Sequence, residues 1–285
     1  MPGQRIGKFQ IVGTLGKGAH STILHIRRSA DSRNYALKVV PINDSKERKY
    51  LEQARHEFRV AQLLDHPSLV KIYSLEIQRD WLFHIRRVHL LIEYVSGRTL
   101  DTLKALPVAK LVQIFARIAA GLAHMHRRKV YHADLKPNNI MLSRAGDVKI
   151  IDYGLAWIRG ESKGRIQGTP EYMAPEQLRD GIVNEQTDIF NFGATMYRLT
   201  TWRPLPNPGI VPGQVPLDAR SWKQRVPSVS ECNAEAPPEL AELIHRCIEF
   251  KPVQRPEDIG EVRDTLEDLV GKLVHSPGDS LETIE

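Results

Sequence analysis

The stretch Tyr131-His132-Ala133-Asp134-Leu135-Lys136-Pro137-Asn138-Asn139-Ile140 decides the fold and the chemistry expected of this chain. An acid is followed by a lysine two residues later and by an asparagine five residues later. A loop that folds back on itself would gather Asp134, Lys136 and Asn139 around one point. A carboxylate can orient an attacking hydroxyl, a lysine can offset charge on a moving phosphoryl group, and an amide oxygen can hold Mg²⁺.

A second acid follows an apolar stretch further along the chain. Val148-Lys149-Ile150-Ile151 is a predicted strand that leads directly into Asp152-Tyr153-Gly154. A carboxylate at this point could share a metal ion with the amide of Asn139. Together with the loop above, these residues supply the groups that phosphoryl transfer needs.

A glycine turn lies between two predicted strands near the start of the chain. Gly16-Lys17-Gly18-Ala19-His20-Ser21 has the form G-x-G-x-x-S, and a strand begins at Thr22. A dinucleotide-binding turn would open a helix here instead. In a strand-turn-strand unit, backbone N–H groups can lie over phosphates because glycine permits close approach. A plain hairpin is the alternative, and Ser21 in the third glycine position predicts a stiffer loop.

Lys38 lies inside the apolar strand Tyr35-Ala36-Leu37-Lys38-Val39-Val40. A buried ammonium is costly unless it is paired. Glu57, on a helix predicted over residues 46–64, is a candidate partner, and the paired lysine could then reach phosphates. The alternative is a lysine that snorkels to the surface beside an unrelated surface glutamate.

The order of the predicted elements indicates an α+β chain with two lobes. Short strands and one helix fill residues 1–95, a break follows at Ser96-Gly97-Arg98, and residues 96–270 are mainly helical, with a buried helix from Asp188 to Thr200. Residues 204–227 are proline-rich and predicted irregular. Two helices are predicted near residues 238–249 and 256–270, and residues 271–285 are predicted to form a flexible tail.

Composition excludes several classes of protein. Two cysteines, Cys232 and Cys247, cannot build a disulfide framework, and no apolar run approaches the length that spans a membrane. No signal-peptide core follows Met1, so we expect a cytoplasmic protein without a membrane partner. Net charge is +6 with a pI of about 9.3. Nucleic-acid binding is a rival interpretation that rests on this pI alone; the basic residues are scattered, so we expect no nucleic-acid partner.

The motifs, taken in order, resemble the eukaryotic-type (Hanks-type) protein kinase superfamily over about residues 6–270. The segment Gly168-Thr169-Pro170-Glu171-Tyr172 before Ala174-Pro175-Glu176, together with Lys136, is similar to the serine/threonine class. The resemblance implies a bilobal kinase fold with a β-rich N-lobe carrying one helix and a helical C-lobe. It also implies transfer of the γ-phosphoryl group of Mg-ATP to serine or threonine hydroxyls of protein substrates, with Mn²⁺ as a possible substitute metal.

The resemblance assigns a role to each site residue. Asp134 would be the catalytic base, and Lys136 would contact the γ-phosphate. Asp152 and Asn139 would hold the metal ions, and Thr169 would support Asp134 and Lys136. Lys38, paired with Glu57, would contact the α- and β-phosphates. The remaining nucleotide-binding positions are Leu15, Gly16, Lys17, Gly18, Ser21, Ile23, Ala36, Ile92 as gatekeeper, Glu93 to Val95 as hinge, and Met141.

The resemblance also assigns structural roles and shows departures from the pattern. Asp188 would brace the catalytic loop, and Arg255 would pair with Glu176. Ala133 stands where the superfamily commonly has an arginine that binds a phosphorylated activation segment, so we expect activity without that phosphorylation. Ser162 is the exposed hydroxyl to test. Tyr153 replaces the commoner phenylalanine, and little functional change is expected.

Two further rivals share much of this pattern. A pseudokinase would lack one of the four central residues, Lys38, Asp134, Asn139 and Asp152, and all four are present. A small-molecule kinase would lack the segment from Gly168 to Glu176, which is also present. A metal site built from His124, His126 and His132 is not expected, because the first two face different ways on a helix. The substrate, the activating signal and the oligomeric state are left open.

Overall fold

The computed structural model describes residues 5–18, 20–44, 47–161, 167–208 and 217–274. The chain divides into two compact units. The β-rich unit comprises the described residues up to Asp65, Leu69–Ser96 and Asp152–Gly154. The helical unit comprises His66–Ser68, Gly97–Ile151 and the described residues from Leu155 onward.

The β-rich unit is a six-stranded antiparallel sheet with one helix. Its strand order is β1-β2-β3-β4-β6-β5. The elements are β1 (Arg5–Ile6), β2 (Phe9–Lys17), β3 (Thr22–Arg28), β4 (Asn34–Pro41), α1 (Arg48–Gln62), β5 (Ile72–Arg79) and β6 (Ile85–Glu93). The four strands and the helix predicted here are confirmed with shifted ends, but β1 and β5 were not predicted.

Helix α1 turns one face towards the interior of the β-rich unit. Leu51, Ala54 and Val60, spaced three and six residues apart, are buried, and Glu57 is buried among them. This spacing places all four side chains on one side of the helix. A buried glutamate on an apolar stripe requires a partner, and the position of α1 supplies one in β4.

The helical unit contains seven helices within the described residues and two small sheets. The helices are α2 (Val108–Arg127), α3 (Pro175–Asp180), α4 (Glu185–Thr201), α5 (Ala219–Arg225), α6 (Val229–Cys232), α7 (Pro238–Cys247) and α8 (Ile259–Val274). One sheet has the order β10-β9-β7, with β7 (Gly97–Thr99), β9 (Ile140–Ser143) and β10 (Val148–Ile150); the other pairs β8 (Val130–Tyr131) with β11 (Trp157–Ile158). The α+β class and the mainly helical second part are thus confirmed.

Helices α2 and α4 form the core of the helical unit. Helix α4 is buried on nearly all sides, as its apolar sequence predicted, and Phe192 meets Phe115 of α2 edge-to-face at 6.3 Å. By length and composition α2 could cross a bilayer, but 72% of its apolar window is buried inside the protein. Because α2 packs against α4 and α8, its burial in the core is enough to explain its apolar sequence.

Two predictions of irregular structure differ from what is observed. Within the proline-rich segment, α5 forms because the Asp218 side chain accepts a hydrogen bond from the N–H of Ser221 at 2.7 Å, and Trp222 is buried with its Nε1 donating to the carbonyl of Ile248. Helix α8 continues to Val274, four residues past its predicted end, while residues 275–285 of the predicted tail lie outside the described part of the chain.

Candidate active site

The loop after β8 is held from behind by a single buried carboxylate. Asp188, near the start of α4, accepts hydrogen bonds from the backbone N–H groups of His132 at 2.7 Å and Ala133 at 2.8 Å. Ala133 has a φ of +65°, in the left-handed region that non-glycine residues rarely adopt. The two bonds to Asp188 stabilise this strained backbone next to Asp134, so the bracing contact predicted for Asp188 is confirmed.

Asp134, Lys136 and Thr169 form one hydrogen-bonded cluster in the helical unit. Lys136 Nζ lies 2.7 Å from Asp134 Oδ2 and 2.5 Å from Thr169 Oγ1. The other carboxylate oxygen, Asp134 Oδ1, accepts from the Thr169 backbone N–H at 2.9 Å and from its hydroxyl at 3.0 Å. The predicted contacts of Thr169 are therefore confirmed. Both oxygens of Asp134 are oriented, as a carboxylate must be if it is to position a hydroxyl.

Asn139 lies in the short 3₁₀ turn Pro137–Asn139 and is buried. Its Nδ2 donates to the backbone carbonyl of Asp134 at 2.9 Å and approaches Asp134 Oδ2 at 3.3 Å. With the amide nitrogen directed at Asp134, the amide oxygen is the group left for a cation. Asp134, Lys136 and Asn139 are thus gathered as the spacing predicted.

Lys38 and Glu57 form the predicted ion pair in the β-rich unit. Lys38 Nζ lies 2.7 Å from Glu57 Oε2, and the glutamate side chain is only 3% exposed. Burial lowers the pKa of Lys38, but the charges of Glu57 and Asp152 outweigh it and leave this pKa above its ordinary value. Burial and the charge of Asp152 raise the pKa of Glu57 and outweigh the lowering by Lys38, so this pKa also lies above its ordinary value. The short contact identifies a charged lysine that neighbours two acids.

Asp152, Tyr153 and Gly154 belong to the β-rich unit although they follow β10 in the chain. The Gly154 N–H donates to Asp152 Oδ1 at 2.8 Å, and the hydroxyl of the fully buried Tyr153 donates to the carbonyl of Val70 at 3.0 Å. A Cβ on Gly154 would come within 3.1 Å of Asp152 Oδ1 and of Gln53 Nε2. Glycine at 154 therefore leaves room for the carboxylate of Asp152.

The glycine-rich turn joins β2 and β3, which pair up to Lys17 and Thr22. Gly18 N–H donates to the carbonyl of Ser21 at 2.8 Å, and a Cβ on Gly18 would meet Ser21 Oγ at 3.0 Å. His20 stacks on Tyr50 of α1 with ring centroids 4.0 Å apart. A strand therefore follows the turn as predicted, and the turn contacts the helix that carries Glu57.

The remaining predicted nucleotide-binding positions are divided between the two units. Ala36 and Ile92 are buried cross-strand neighbours in β4 and β6. The N–H of Glu93 already donates to the carbonyl of Lys71 at 2.8 Å, so this N–H is not available to an adenine. Leu15, Lys17, Ile23 and Val95 are exposed or half-buried in the β-rich unit, and Met141 is half-buried on β9 of the helical unit.

Asp152 and Asn139 fit a hard divalent cation by their chemistry. Carboxylate and amide oxygens are the ligands that Mg²⁺ prefers, and Mg²⁺ is usually held by one or two carboxylates together with substrate phosphates and water. The described residues contain no group of three or more His, Cys, Asp or Glu side chains that could hold a metal by themselves. Asp152 in the β-rich unit and Asn139 in the helical unit each therefore carry an oxygen suited to a cation that arrives with a nucleotide.

One functional candidate was missed by sequence reasoning. Gln177 of α3 is fully buried, and its Nε2 donates to the carbonyl of Ala133 at 2.6 Å and to that of Gln167 at 3.4 Å. Its Oε1 accepts from the N–H of Ala174 and from Asn191 Nδ2, each at 3.3 Å. One neutral side chain therefore links the catalytic loop to residue 167 of the activation segment.

The second missed feature is a buried histidine between two acids. His126, at the end of α2, places Nε2 2.8 Å from Asp188 Oδ2 and Nδ1 3.1 Å from Glu185 Oε1. Each ring nitrogen of His126 is therefore within hydrogen-bond distance of a carboxylate. The backbone N–H of His132 shares Asp188 Oδ2 with His126, and the ring of His124 lies 5.2 Å from that of His66.

Glu176 and Arg255 form the predicted ion pair at the base of the helical unit. Arg255 Nη1 and Nη2 lie 2.7 and 2.9 Å from the two carboxylate oxygens of Glu176, and both side chains are buried. The guanidinium also donates to three backbone carbonyls, those of Glu249, Phe250 and Gln186. This contact joins the start of α3 to the segment before α8.

Comparison with known proteins agrees with this geometry. Residues 9–266 match the family model described as "Protein kinase domain". The chain is 28% identical over 272 residues to "Probable serine/threonine-protein kinase SCO3848" from Streptomyces coelicolor, covering 92% of this chain and 40% of that protein. It is 27% identical over 264 residues to "Serine/threonine-protein kinase PrkC" from Bacillus subtilis, covering 90% and 39%.

A plant relative shows the same extent of similarity. "CBL-interacting serine/threonine-protein kinase 3" from Arabidopsis thaliana is 27% identical over 275 residues, which cover 90% of this chain and 58% of that protein. The chain thus spans about two fifths of the length of the two bacterial relatives. Because the family model covers nearly all of the sequence and the motifs occur in order, the chain belongs to the protein kinase domain family, in the eukaryotic-type superfamily that its motifs resemble.

Proposed function

We propose that this chain is a serine/threonine protein kinase that transfers the γ-phosphoryl group of Mg-ATP to protein hydroxyls. The observation that carries the proposal is the cluster of Asp134, Lys136 and Thr169, in which both carboxylate oxygens of Asp134 are fixed. Such a carboxylate can accept the proton of an attacking hydroxyl, while the lysine offsets charge on the phosphoryl group.

The other site residues take roles consistent with this reaction. Lys38, kept charged beside Glu57, would hold the α- and β-phosphates. Asp152 and the amide oxygen of Asn139 would hold Mg²⁺, which supplies charge neutralisation of the phosphates when bound. The names of the relatives, all serine/threonine kinases, support serine and threonine as acceptors.

The test is a transfer assay with radiolabelled Mg-ATP and a mixture of unrelated protein substrates. We expect label on serine and threonine, recovered by phosphoamino-acid analysis, and loss of nearly all transfer in Asp134→Asn and after chelation of divalent metal. Asp147→Asn is the matched control, since Asp147 is an exposed carboxylate that bonds Ser143 in the β9–β10 turn. Equal transfer by Asp134→Asn and wild type would exclude the proposed mechanism.

We also propose that activity does not depend on phosphorylation of the activation segment. Ala133 offers no charge to bind a phosphate, and Gln177 already connects the carbonyls of Ala133 and Gln167. The candidate phosphosite Ser162 lies outside the described residues. Phosphatase-treated wild type and Ser162→Ala should both keep the activity of untreated enzyme, and a large loss in both would contradict this expectation.

Peptide selection by this kinase is proposed not to require arginine before the acceptor. Asn138 and Arg198 occupy positions that hold acidic residues in basophilic relatives. Asn138 Nδ2 donates to Asp101 at 2.8 Å, and Arg198 Nη1 donates to the carbonyl of Trp202. A peptide array should show no strong arginine preference there; a strict arginine requirement would refute the proposal.

A further inference from the structure

The turn between β5 and β6 presents three consecutive apolar side chains to solvent. Trp81 is 85% exposed, Leu82 51% and Phe83 78%. In the described part of the chain, no other run of consecutive large apolar residues is exposed. We call these three residues the aromatic tip. Contiguous exposed apolar surface of this kind marks a contact site more often than chance exposure does.

Hydrogen bonds fix the conformation of the aromatic tip. Asp80 Oδ1 accepts from the backbone N–H groups of Leu82 and His84, each at 2.9 Å. The Asp80 N–H donates to the carbonyl of His84 at 2.9 Å, and the Phe83 N–H donates to that of Asp80 at 3.0 Å. Arg79 donates to the carbonyl of Phe83 at 3.0 Å. The tip is therefore a preformed surface that binding does not have to order.

The backbone of the aromatic tip is strained at Phe83. Reversal of the chain at this point does not require that strain. Phe83 has a φ of +62°, which glycine or asparagine adopts at much lower cost than a bulky side chain. Its ring is exposed, so the residue does not gain core burial in exchange. A strained residue whose side chain adds nothing to the core is expected to serve a contact outside the molecule.

The surroundings of the aromatic tip are basic. Between Gln78 and Val88 the charged residues are three arginines and one aspartate, a balance of +2, and Arg86 pairs with that aspartate, Asp80, at 2.8 Å. Arg87 is exposed and lies opposite Gln78 across the hairpin. The chain through Val95 has 16 Lys and Arg against 9 Asp and Glu, a balance of +7. The partner expected from this charge is anionic.

We propose that the aromatic tip is a contact site for an anionic lipid bilayer. Trp81 and Phe83 would enter the interfacial layer, where aromatic rings are enriched, while Arg79 and Arg87 face lipid phosphates. Apolar insertion and basic attraction are each weak and act together in peripheral binding. A turn with consecutive apolar side chains at the end of a hairpin fits this soft surface without a matching groove, and this favours a membrane over a protein cleft.

Membrane contact through the aromatic tip goes beyond the proposed kinase activity and does not rest on it. It also differs from the sequence-based expectation of no membrane partner, because that expectation considered membrane-spanning segments. A tip of three residues would lie in the interface and would not cross the bilayer. The charge on the hairpin makes the expected binding sensitive to salt and to the anionic lipid content.

The test is flotation of the full chain with two kinds of vesicle, phosphatidylcholine alone and phosphatidylcholine mixed with phosphatidylglycerol. We expect wild type to float with the mixed vesicles, with roughly tenfold weaker binding to the neutral ones. Trp81→Ser/Phe83→Ser should weaken binding to mixed vesicles by roughly tenfold or more. Arg87→Glu should weaken only the binding that depends on phosphatidylglycerol. Val253→Ser, which removes a side chain that is 90% exposed elsewhere, is the matched control.

A conservative variant separates insertion from a loss of folding. Trp81→Phe should keep binding because it keeps an aromatic ring, but it should lose the blue shift of tryptophan emission that mixed vesicles cause in wild type. The proposal is overturned if wild type floats with neither vesicle, or if Trp81→Ser/Phe83→Ser floats as wild type does. It is also overturned if gel filtration shows a concentration-dependent dimer that this double variant abolishes, because the aromatic tip then binds a second copy of the chain.

Discussion

His126 Nε2 lies 2.8 Å from Asp188 Oδ2, and both side chains are buried in the helical unit. The same aspartate accepts the backbone N–H groups of His132 and Ala133, so the histidine and the catalytic loop share one carboxylate. Burial lowers the pKa of His126, but its hydrogen bonds to Asp188 and Glu185 outweigh this and raise the pKa to about 9. At neutral pH the positively charged imidazole of His126 offsets the negative charge of Asp188 behind the catalytic loop.

Stability should therefore fall as pH rises through this value. The folded pKa of about 9 exceeds the ordinary 6.5, so the stabilising contribution is complete below about pH 6.5 and is lost as pH passes 9. The expected change in the free energy of unfolding is roughly 3 kcal/mol. Urea unfolding from pH 6 to pH 9.5 should show a slope that His126→Gln flattens. His84→Gln, with 66% side-chain exposure, is the control; equal slopes in all three proteins would contradict the assignment.

Removal of Arg255 should destabilise the helical unit strongly. Arg255→Met leaves Glu176 buried without its fork-shaped partner, and breaking a buried pair costs about 3–5 kcal/mol. Arg255→Lys should recover little, because an ammonium cannot form both bonds. The double variant Arg255→Met/Glu176→Leu should be more stable than Arg255→Met in urea unfolding. A double variant no more stable than the single one would show that the unpaired acid is not the main cost.

Gln177→Leu should reduce kcat more than it reduces stability. The variant keeps the approximate volume and loses the bonds to the carbonyls of Ala133 and Gln167, together with those from Ala174 and Asn191. Each bond contributes about 0.5–1.5 kcal/mol, so a fall of roughly tenfold in kcat is expected. Gln186→Leu is a matched control, since Gln186 also donates to two carbonyls, those of Pro256 and Glu257, away from the catalytic loop. Equal kcat values for Gln177→Leu and Gln186→Leu would contradict a role for Gln177 in the active site.

Tyr153→Phe should lower stability slightly and leave kcat unchanged. The hydroxyl donates to the Val70 carbonyl inside the β-rich unit, where burial raises the pKa of Tyr153 well above its ordinary value. Loss of this bond is expected to cost about 0.5–1.5 kcal/mol in thermal or urea unfolding. Tyr73→Phe, at a ring that is 49% exposed, should show little change. A large fall in kcat for Tyr153→Phe would give the hydroxyl a functional role that we do not expect.

Phe83→Gly should stabilise the free protein. Glycine adopts a φ of +62° without the steric cost of a Cβ, and the gain is expected to be about 1 kcal/mol after the extra chain entropy of glycine. Leu82→Gly is the neighbouring control, because Leu82 is not in the left-handed region and gains no relief. Urea unfolding of both variants provides the measurement, and a loss of stability in Phe83→Gly would show that the ring supports the fold.

Much of the site could be predicted because its residues carry local signals. Lys38 in an apolar strand demanded a partner, and Glu57 on the helix predicted next in the chain was the candidate for it. Asp134, Lys136 and Asn139 lie within six residues, so a single turn brings them together. Contacts between residues that are close in the sequence can be inferred from the sequence alone. The same holds for a contact that a charged residue in an apolar segment requires.

The missed features depend on contacts that sequence spacing does not reveal. Glu185 meets His126 across 59 residues, and Gln177 meets Ala133 across 44, with nothing to mark either polar side chain as buried. Phe83 has no glycine or asparagine to signal its positive φ. Helix α5 did have a signal, the capping pair Asp218 and Ser221, which the prediction from the proline-rich composition did not consider.

The link through Gln177 has a consequence for how a cell could control this protein. The amide of Gln177 joins residue 167 to Ala133 without any phosphate group. If these two bonds form as soon as the chain folds, the proposed activity follows the number of molecules present. Control would then act through a binding partner or through synthesis and degradation, and in the second case gene dosage would set the response.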